Sequence, residues 1–259
     1  MPKSTNFQKI SYDADLEKVF EDKRFKRKNS YMKFKKNVFI LGASSDIGIS
    51  IMRIYLKNNY EILAHYNKGN KKFFEFVNRQ KKIKLIKFNF LTSSNNIEKF
   101  LSKKIFKEYS VFVNASAHLK EIQYTKVKLK DLENIFKVNL YPGVLLTKIM
   151  GEQMNKRRWG RIVHLGSIGV KFGGGKKNFP YSFSKHALEF FPSETKDWVK
   201  NNVLINTIRV GATNTKLHLK LPSKNLKKRA KVIPMGRMAE PNEIAEFVYY
   251  LGSDENTYI

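Results

Sequence analysis

Tyr181 and Lys185 lie four residues apart in the segment Tyr-Ser-Phe-Ser-Lys. In a helix this spacing places both side chains on one face, so the ammonium group lies near the phenol. A nearby positive charge favours the phenolate, and we expect it to lower the pKa of Tyr181 from its usual value of about 10. Tyr181 is therefore a candidate general acid or base. The alternative for this lysine-rich chain is a solvated helix face.

Two further polar residues accompany this pair. Ser167 ends the hydrophobic run Arg-Ile-Val-His-Leu-Gly-Ser, which predicts a buried parallel strand. Residues just past the carboxyl end of such a strand line the ligand crevice, so the Ser167 hydroxyl is placed to orient a substrate carbonyl. Asn139 lies on a helical pattern, where a polar residue packed in the interior is the alternative interpretation.

A turn of small residues lies far upstream, between a strand pattern at 37–41 and a helix pattern at 47–56. Its glycines allow a tight turn and a close approach of helix and strand, and amides at the start of the helix can receive a pyrophosphate together with serine hydroxyls. The residues expected around the pyrophosphate are Gly42, Ser44, Ser45, Asp46, Ile47 and Gly48.

Together these motifs resemble the short-chain dehydrogenase/reductase family, and within it the members similar to 3-oxoacyl-carrier-protein reductases. The likeness covers nearly all of residues 37–259 and includes segments 113–117, 210–215 and 234–241 at the family's positions. It implies an α/β fold with a Rossmann-type doubly wound parallel sheet in one domain, flanked by helices on both faces. It also implies ketone–alcohol interconversion with a nicotinamide cofactor. The catalytic tetrad would be Asn139, Ser167, Tyr181 and Lys185.

The resemblance also implies a role for each site residue. Tyr181 would exchange the proton, Lys185 would also hold the nicotinamide ribose, and Asn139 would fix a water that connects Lys185 to solvent. Thr213 and Thr215 would contact the carboxamide and phosphate side of the cofactor. The remaining cofactor contacts would be Tyr66, Asn67, Lys68, Asn89, Phe90, Asn114, Ala115, Ser116, Val210 and Gly211.

The turn departs from the family pattern twice, because Leu41 replaces a threonine and Asp46 replaces the middle glycine. An aspartate near a helix amino terminus is favoured by the helix dipole, although its charge would repel a phosphate placed too close. We expect Asp46 to cap free amides of the helix while the cofactor still binds.

Cofactor preference depends on the residues after the second strand, where an acidic side chain would accept the ribose hydroxyls of NAD. Tyr66, Asn67 and Lys68 stand there instead, a polar and positive setting that favours NADP(H) over NAD(H). The alternative for Lys68 is one more solvated lysine. Asn89 occupies the position of a family aspartate that contacts adenine, and an asparagine still offers hydrogen bonds.

Composition indicates a globular protein, since 259 residues with 42% hydrophobic content suffice for one large core. The sequence shows neither an apolar stretch long enough to span a bilayer nor a secretory signal, and we expect a cytoplasmic location without membrane association. Cysteine is absent. The histidines show no ligand-like spacing, so no metal is expected, and they stand at His65, His118, His164, His186 and His218.

The chain carries a net charge of +28. Its lysines are scattered over almost every predicted element, which indicates a compositional bias more than a nucleic-acid-binding stripe, so we expect no nucleic-acid partner. Residues 1–36 form a basic N-terminal extension, either a short amphipathic helix or a mobile tail. We expect residues 37–259 to form the Rossmann domain, without the last strand that the resemblance implies for the family. The non-enzyme alternative is therefore a binding or regulatory protein that keeps the short-chain dehydrogenase/reductase fold without turnover.

Lysines and leucines alternate after Thr215, in a region that covers the substrate in the family. A cationic and apolar cover suits a substrate with an anionic handle or one carried on an acidic protein, and a solvated amphipathic helix is the alternative. The family commonly forms homodimers or homotetramers. The aromatic and aliphatic residues expected to face either a sister subunit or the core are Phe183, Leu188, Phe190, Phe191 and Trp198.

Overall fold

Six parallel strands form one sheet in the order β3-β2-β1-β4-β5-β6 in the computed structural model, which describes residues 34–219 and 230–259. The chain moves outward from β1 to β3, then crosses back to β4 beside β1, so the order reverses between β1 and β4. This confirms the expected Rossmann-type α/β fold. The strands are β1 (Asn37–Leu41), β2 (Glu61–Tyr66), β3 (Ile83–Lys87), β4 (Val111–Asn114), β5 (Gly160–Leu165) and β6 (Val203–Ile208).

The helices that connect and follow the strands pack on both faces of the sheet. Short 3₁₀ segments supplement them at 104–108, 124–126, 168–172 and 193–201. The N-terminal extension up to residue 33 and Lys220, Lys224, Lys227, Lys228 and Arg229 lie outside the described residues. The described helices are α1 (Asp46–Lys57), α2 (Lys71–Asn78), α3 (Ser94–Leu101), α4 (Leu129–Asn139), α5 (Tyr141–Arg157), α6 (Phe179–Ala187), α7 (Lys216–Leu219) and α8 (Pro241–Gly252).

Burial along the strands follows their place in the sheet. Every residue of β1, β4 and β5 is buried, because these central strands have neighbours on both sides and helices on both faces. In contrast, β3 is an edge strand, and its Lys84 and Lys87 are exposed. Charged side chains on an edge disfavour pairing with another chain.

Two apolar clusters sandwich the sheet. On one face, Met52 and Tyr55 of α1 pack with Val248 and Leu251 of α8. On the other, side chains of α3 and α5 such as Phe100 and Met150 pack beneath the central strands. Because each cluster fixes its helices against the strands, the loops at the carboxyl edge of the sheet are held in place. Within the described parts of the chain, no helix combines the length and apolar character needed to cross a bilayer.

The residues after α8 are tied to the sheet through Arg161, which begins β5 and is 1% exposed. Its guanidinium donates hydrogen bonds to the backbone oxygens of Ser253 at 3.2 Å, Asn256 at 2.7 Å and Asn202 at 2.7 Å. The guanidinium also lies over the Trp159 ring, 4.7 Å from its centroid. A buried charge is tolerated here because several carbonyl dipoles surround it.

Candidate active site

A cleft of about 1270 Å³ opens at the carboxyl ends of the central strands. Loops that follow β1, β4, β5 and β6 all contribute to its walls. It therefore lies where open parallel sheets bind ligands, at the reversal of strand order. Its lining includes these residues predicted from the sequence: Ser44, Ser45, Asp46, Ile47, Ala115, Ser116, Ser167, Tyr181, Lys185, Val210, Gly211, Thr213 and Thr215.

Close packing explains both glycines of the nucleotide turn. Gly42 has φ of +82°, and a Cβ there would lie 2.7 Å from the Ala115 carbonyl oxygen. A Cβ on Gly48 would lie 2.7 Å from the Ala43 carbonyl oxygen. Any larger residue would push the turn away from β4 or the helix away from β1.

Ser45 caps α1 at this turn. Its hydroxyl accepts the Gly48 amide at 3.0 Å and donates to the Gly42 carbonyl at 3.0 Å, so both of its hydrogen-bonding roles serve the turn. Among the described residues, the amides of Asp46 and Ile47 have no hydrogen-bond partner, and both residues line the cleft. Open amides at a helix amino terminus fit a pyrophosphate.

The expectation that Asp46 caps its own helix is wrong. Its Oδ2 accepts the amide of Lys216 at 2.7 Å, while Ser45 holds the N-cap position. The carboxylate thus joins the nucleotide turn to the start of α7, 170 residues away in sequence.

The segment before α7 is held on its other side as well. Thr213 pairs with Ala239 in an isolated parallel bridge, and the Asn214 amide donates to the Ala239 carbonyl at 2.8 Å. Thr213 and Thr215 are buried, and the Thr213 hydroxyl donates to the Gly211 carbonyl at 3.1 Å. Both threonines lie at the wall of the cleft, and their contact with a cofactor stays a prediction.

Ser167 and Tyr181 come together although they lie on different elements. Ser167 follows β5, and its hydroxyl accepts the Gly169 amide at 3.1 Å. Tyr181 lies in the first turn of α6 and is partly buried. Burial raises the pKa of Tyr181 to about 12, and a hydrogen bond from Ser167 partly opposes that rise. The phenol is therefore protonated at neutral pH.

The expected lowering of the tyrosine pKa by Lys185 is wrong for this structure. The Lys185 Nζ lies 6.0 Å from the Tyr181 ring centroid, because it donates to the carbonyls of Ser116 at 2.9 Å and Leu165 at 2.7 Å. Burial lowers the pKa of Lys185 to about 7. Desolvation outweighs the attraction that the helical spacing alone predicts.

Asn139 is buried at the end of α4, and both ends of its amide have partners. Its Oδ1 accepts the His118 amide at 2.6 Å, and its Nδ2 donates to the His118 carbonyl at 3.0 Å and to the Ser184 hydroxyl at 3.0 Å. Asn139 thus fixes the loop after β4 against α6. The water-holding role implied by the resemblance stays a prediction.

The adenosine side of the predicted site lies at the ends of β2 and β3. The side-chain amide of Asn67 donates to Asn89 Oδ1 at 3.3 Å, and the same oxygen accepts the backbone amide of Leu91 at 3.0 Å. Phe90 is buried against the rings of His65 and Phe100, so its side chain belongs to the core. The predicted residues outside the cleft lining are Gly42, Gly48, Tyr66, Asn67, Lys68, Asn89, Phe90, Asn114 and Asn139.

His65 supports this region, a role that the sequence analysis missed. The ring Nδ1 accepts the Gly42 amide at 3.3 Å, and Nε2 lies 3.1 Å from the Phe88 carbonyl and so carries the proton. Burial lowers the pKa of His65 to about 4. The detectable signal is a histidine that directly follows three apolar residues within the strand.

His164 is the second histidine that the sequence analysis passed over. It is fully buried in β5, and burial together with the Lys185 charge lowers its pKa to about 3. From the sequence, both histidines are weighed only as metal ligands. In the part of the chain that the structure describes, no three His, Asp or Glu side chains form a group that could hold a metal ion.

The outer part of the cleft combines apolar and cationic side chains. Lys176, Lys177 and Lys216 lie at its edge, whereas Arg237 is held by both carboxylate oxygens of Glu243 at 2.7 Å. The apolar lining includes Leu119, Leu217, Val232, Ile233 and Met235. This composition suits an apolar ligand with an anionic end.

The residues expected at a subunit interface or in the core differ in their burial. Leu188 is buried, and Trp198 packs against the core cluster that contains Met150. Phe183 and Phe190 are exposed, by 46% and 85% respectively. Assembly into dimers or tetramers stays a prediction.

Comparison with known proteins agrees with this geometry. Residues 42–259 match the family model described as enoyl-(acyl carrier protein) reductase. The chain is 33% identical over 150 residues to the 3-oxoacyl-[acyl-carrier-protein] reductase FabG of Aquifex aeolicus, covering 58% of this chain and 60% of that protein. It is 25% identical to FabG of Buchnera aphidicola subsp. Acyrthosiphon pisum, covering 87% and 93% of the two chains.

The fold also matches solved structures. A 3-oxoacyl (acyl-carrier-protein) reductase from Agrobacterium tumefaciens C58 with NADP bound superposes with a TM-score of 0.75 at 17% identity. The match covers 90% of this chain and 96% of that one. At this identity the likeness extends to the fold alone.

Proposed function

Because the chain belongs to the short-chain dehydrogenase/reductase family, and is an oxidoreductase of that family, we propose that it reduces a 3-oxoacyl thioester to the 3-hydroxyacyl thioester with NADPH. The observation that carries this proposal is the cleft itself, which is lined by Ser167, Tyr181 and Lys185 as well as by residues of the nucleotide turn. A proton donor and a phosphate-binding turn thus share one ligand space.

The residues present fit a nicotinamide dinucleotide. The open amides of Asp46 and Ile47 would receive the pyrophosphate, and Thr213 and Thr215 would line the nicotinamide end. When bound, the nicotinamide supplies a hydride to the carbonyl carbon. We further propose a preference for NADPH, because Asn67 and Lys68 stand where an acidic residue would select NADH.

The side chains of Tyr181 and Ser167 act on the carbonyl oxygen of the substrate. Tyr181, protonated at neutral pH, donates its proton to this oxygen as the carbonyl carbon becomes a secondary alcohol, and Ser167 orients the oxygen by a hydrogen bond. Lys185, as a cation held by the Ser116 and Leu165 carbonyls, supplies the proton that restores the phenol after each turnover. At neutral pH the phenol is already in the protonated form that reduction of the carbonyl requires.

The substrate proposal rests on the outer cleft. Lys176, Lys177 and Lys216 attract an anionic handle, and the apolar lining accepts an acyl chain. A phosphopantetheine thioester offers both features, whether it is attached to an acidic carrier protein or to coenzyme A. The names of the FabG relatives point to the same class of substrate.

The test is NADPH oxidation with acetoacetyl-CoA, which has a ketone beside its thioester, and with crotonyl-CoA, which has a carbon–carbon double bond in place of that ketone. We expect turnover of acetoacetyl-CoA alone. Tyr181→Phe should lower kcat by about 10²- to 10⁴-fold while NADPH binding, followed by nicotinamide fluorescence, stays unchanged. Turnover of crotonyl-CoA alone would contradict the reaction, and failure to bind either NADPH or NADH would favour a binding protein without turnover.

A further inference from the structure

A series of buried hydrogen bonds connects α5 with strands β5 and β4 and ends at a residue that contacts Lys185. Thr147 Oγ1 lies 3.0 Å from His164 Nε2, and His164 Nδ1 lies 3.1 Å from Asn114 Nδ2. Asn114 Oδ1 then accepts the amide of Ser116 at 3.2 Å and lies 2.7 Å from the Ser116 hydroxyl. All four residues are buried.

The direction of each hydrogen bond follows from the partners. The Thr147 hydroxyl donates to the Gly143 carbonyl at 2.7 Å, so it accepts from His164 Nε2–H. The oxygen of Asn114 is fixed by the Ser116 amide, so its NH₂ group faces His164. The neutral imidazole with its proton on Nε2 satisfies both neighbours, and an imidazolium would place two donors against each other.

This series of hydrogen bonds ends at Ser116, whose carbonyl is one of the two groups that hold the Lys185 ammonium. One acceptor, Ser116 O at 2.9 Å, belongs to the residue that Asn114 binds through both its amide and its hydroxyl. The other, Leu165 O at 2.7 Å, belongs to the residue next to His164. The positions of both acceptors therefore depend on β4 and β5 at the level of the imidazole.

The surrounding packing leaves the histidine no alternative position. A Cβ on Gly143 would lie 2.5 Å from Asn114 Nδ2 and 3.5 Å from His164 Nδ1, so only glycine allows α5 to approach this closely. The rings of Phe112 and Phe191 flank the imidazole at centroid distances of 5.7 Å and 5.3 Å. A side chain enclosed in this way keeps its partners fixed.

We propose that His164 is a positioning residue, which accepts the Asn114 amide at Nδ1 and thereby fixes the Ser116 carbonyl that holds Lys185. Its importance for turnover rests on the proposed function. The acceptor at Nδ1 carries this role, whereas the donor at Nε2 hydrogen-bonds Thr147 and does not contact Asn114.

Two substitutions distinguish the roles of the two ring nitrogens of His164. His164→Asn places an amide oxygen where Nδ1 lies and retains the acceptor for Asn114. His164→Gln places its polar atoms one bond further out, near Nε2, and leaves Asn114 without an acceptor. Both variants lose the ring, so they differ mainly in the acceptor, and thermal melting checks that each one folds.

We measure kcat with acetoacetyl-CoA and NADPH, and the acetylation rate of Lys185 by acetic anhydride, read by peptide mass spectrometry against exposed Lys68 in the same sample. His164→Gln should lower kcat about 10- to 100-fold and raise Lys185 labelling severalfold, with His164→Asn within about threefold of wild type in both. Equal changes in the two variants, or wild-type behaviour of His164→Gln, would overturn the proposal. If the wild type reduces no thioester, the proposed function fails, and the lysine labelling alone decides the role of His164.

Discussion

Acid should destabilise this protein through its buried histidines well before most carboxylates titrate. His65 is 4% exposed, and its neutral ring accepts the Gly42 amide and donates to the Phe88 carbonyl. Protonation would place an N–H against the Gly42 N–H. Burial lowers the pKa of His65 from 6.5 to about 4 in the folded state, against a smaller rise from the Phe88 hydrogen bond.

The sign and size follow from proton binding. Between pH 6.5 and about 4 the unfolded chain binds a proton at this histidine that the folded chain refuses, so the free energy of unfolding falls as pH falls. Each unit of pKa difference is worth about 1.4 kcal/mol, which gives about 3 kcal/mol for His65 once the pH lies below about 4. His164, with a pKa of about 3, adds a loss of the same sign.

The assay is urea unfolding of the wild type and of His65→Asn at several pH values between about 6.5 and 4.5. Asparagine keeps an oxygen acceptor near Gly42 but does not titrate. Wild type should lose about 2 kcal/mol more than His65→Asn over this range. The carboxylate of Glu243, whose pKa is lowered to about 2 by Arg237, titrates below the pH range of this assay.

Parallel loss of stability in the two proteins would refute this reasoning, because the titrating group would then lie elsewhere. A second measurement is independent of folding energetics. The imidazole C–H resonance of His65 should show no titration above about pH 5 in the folded protein. A midpoint near 6.5 would contradict the neutral, hydrogen-bonded ring.

Three further predictions concern the cleft. Asn67→Asp should shift the ratio of NADPH to NADH affinity towards NADH by about tenfold or more, because a carboxylate accepts ribose hydroxyls and repels a ribose phosphate. Fluorescence titration measures both affinities, and an unchanged ratio would remove the argument for NADPH. Asp46→Gly should speed hydrogen exchange of the Lys216 amide, which loses its acceptor, whereas Asp46→Asn should retain slow exchange, and equal rates would contradict the contact. The reducing kcat should fall as pH rises through about 7, since Lys185 loses its charge there, and a profile that stays flat to about pH 9 would contradict this assignment.

The sequence was a good guide to topology and to the position of the cleft. Strand and helix periodicity, with the family-like motifs, placed Ser167, Tyr181 and Lys185 correctly at the carboxyl edge. It was a poor guide to their ionisation. The spacing of Tyr181 and Lys185 predicted a lowered phenol pKa, but the ammonium lies against two carbonyl groups and burial raises that pKa instead.

Local pattern by itself determined the order of elements, the glycine turn and the residue types at the reacting edge, because these depend on neighbours within a few positions along the chain. Only the tertiary structure decided the partners of Asp46, His65 and His164. Their contacts are Lys216, Gly42 and Asn114, which lie from 23 to 170 residues away in sequence. Such contacts form where strands and loops are brought together by packing, and the hydrogen-bonding capacity of a buried polar group is satisfied by whatever the fold places beside it.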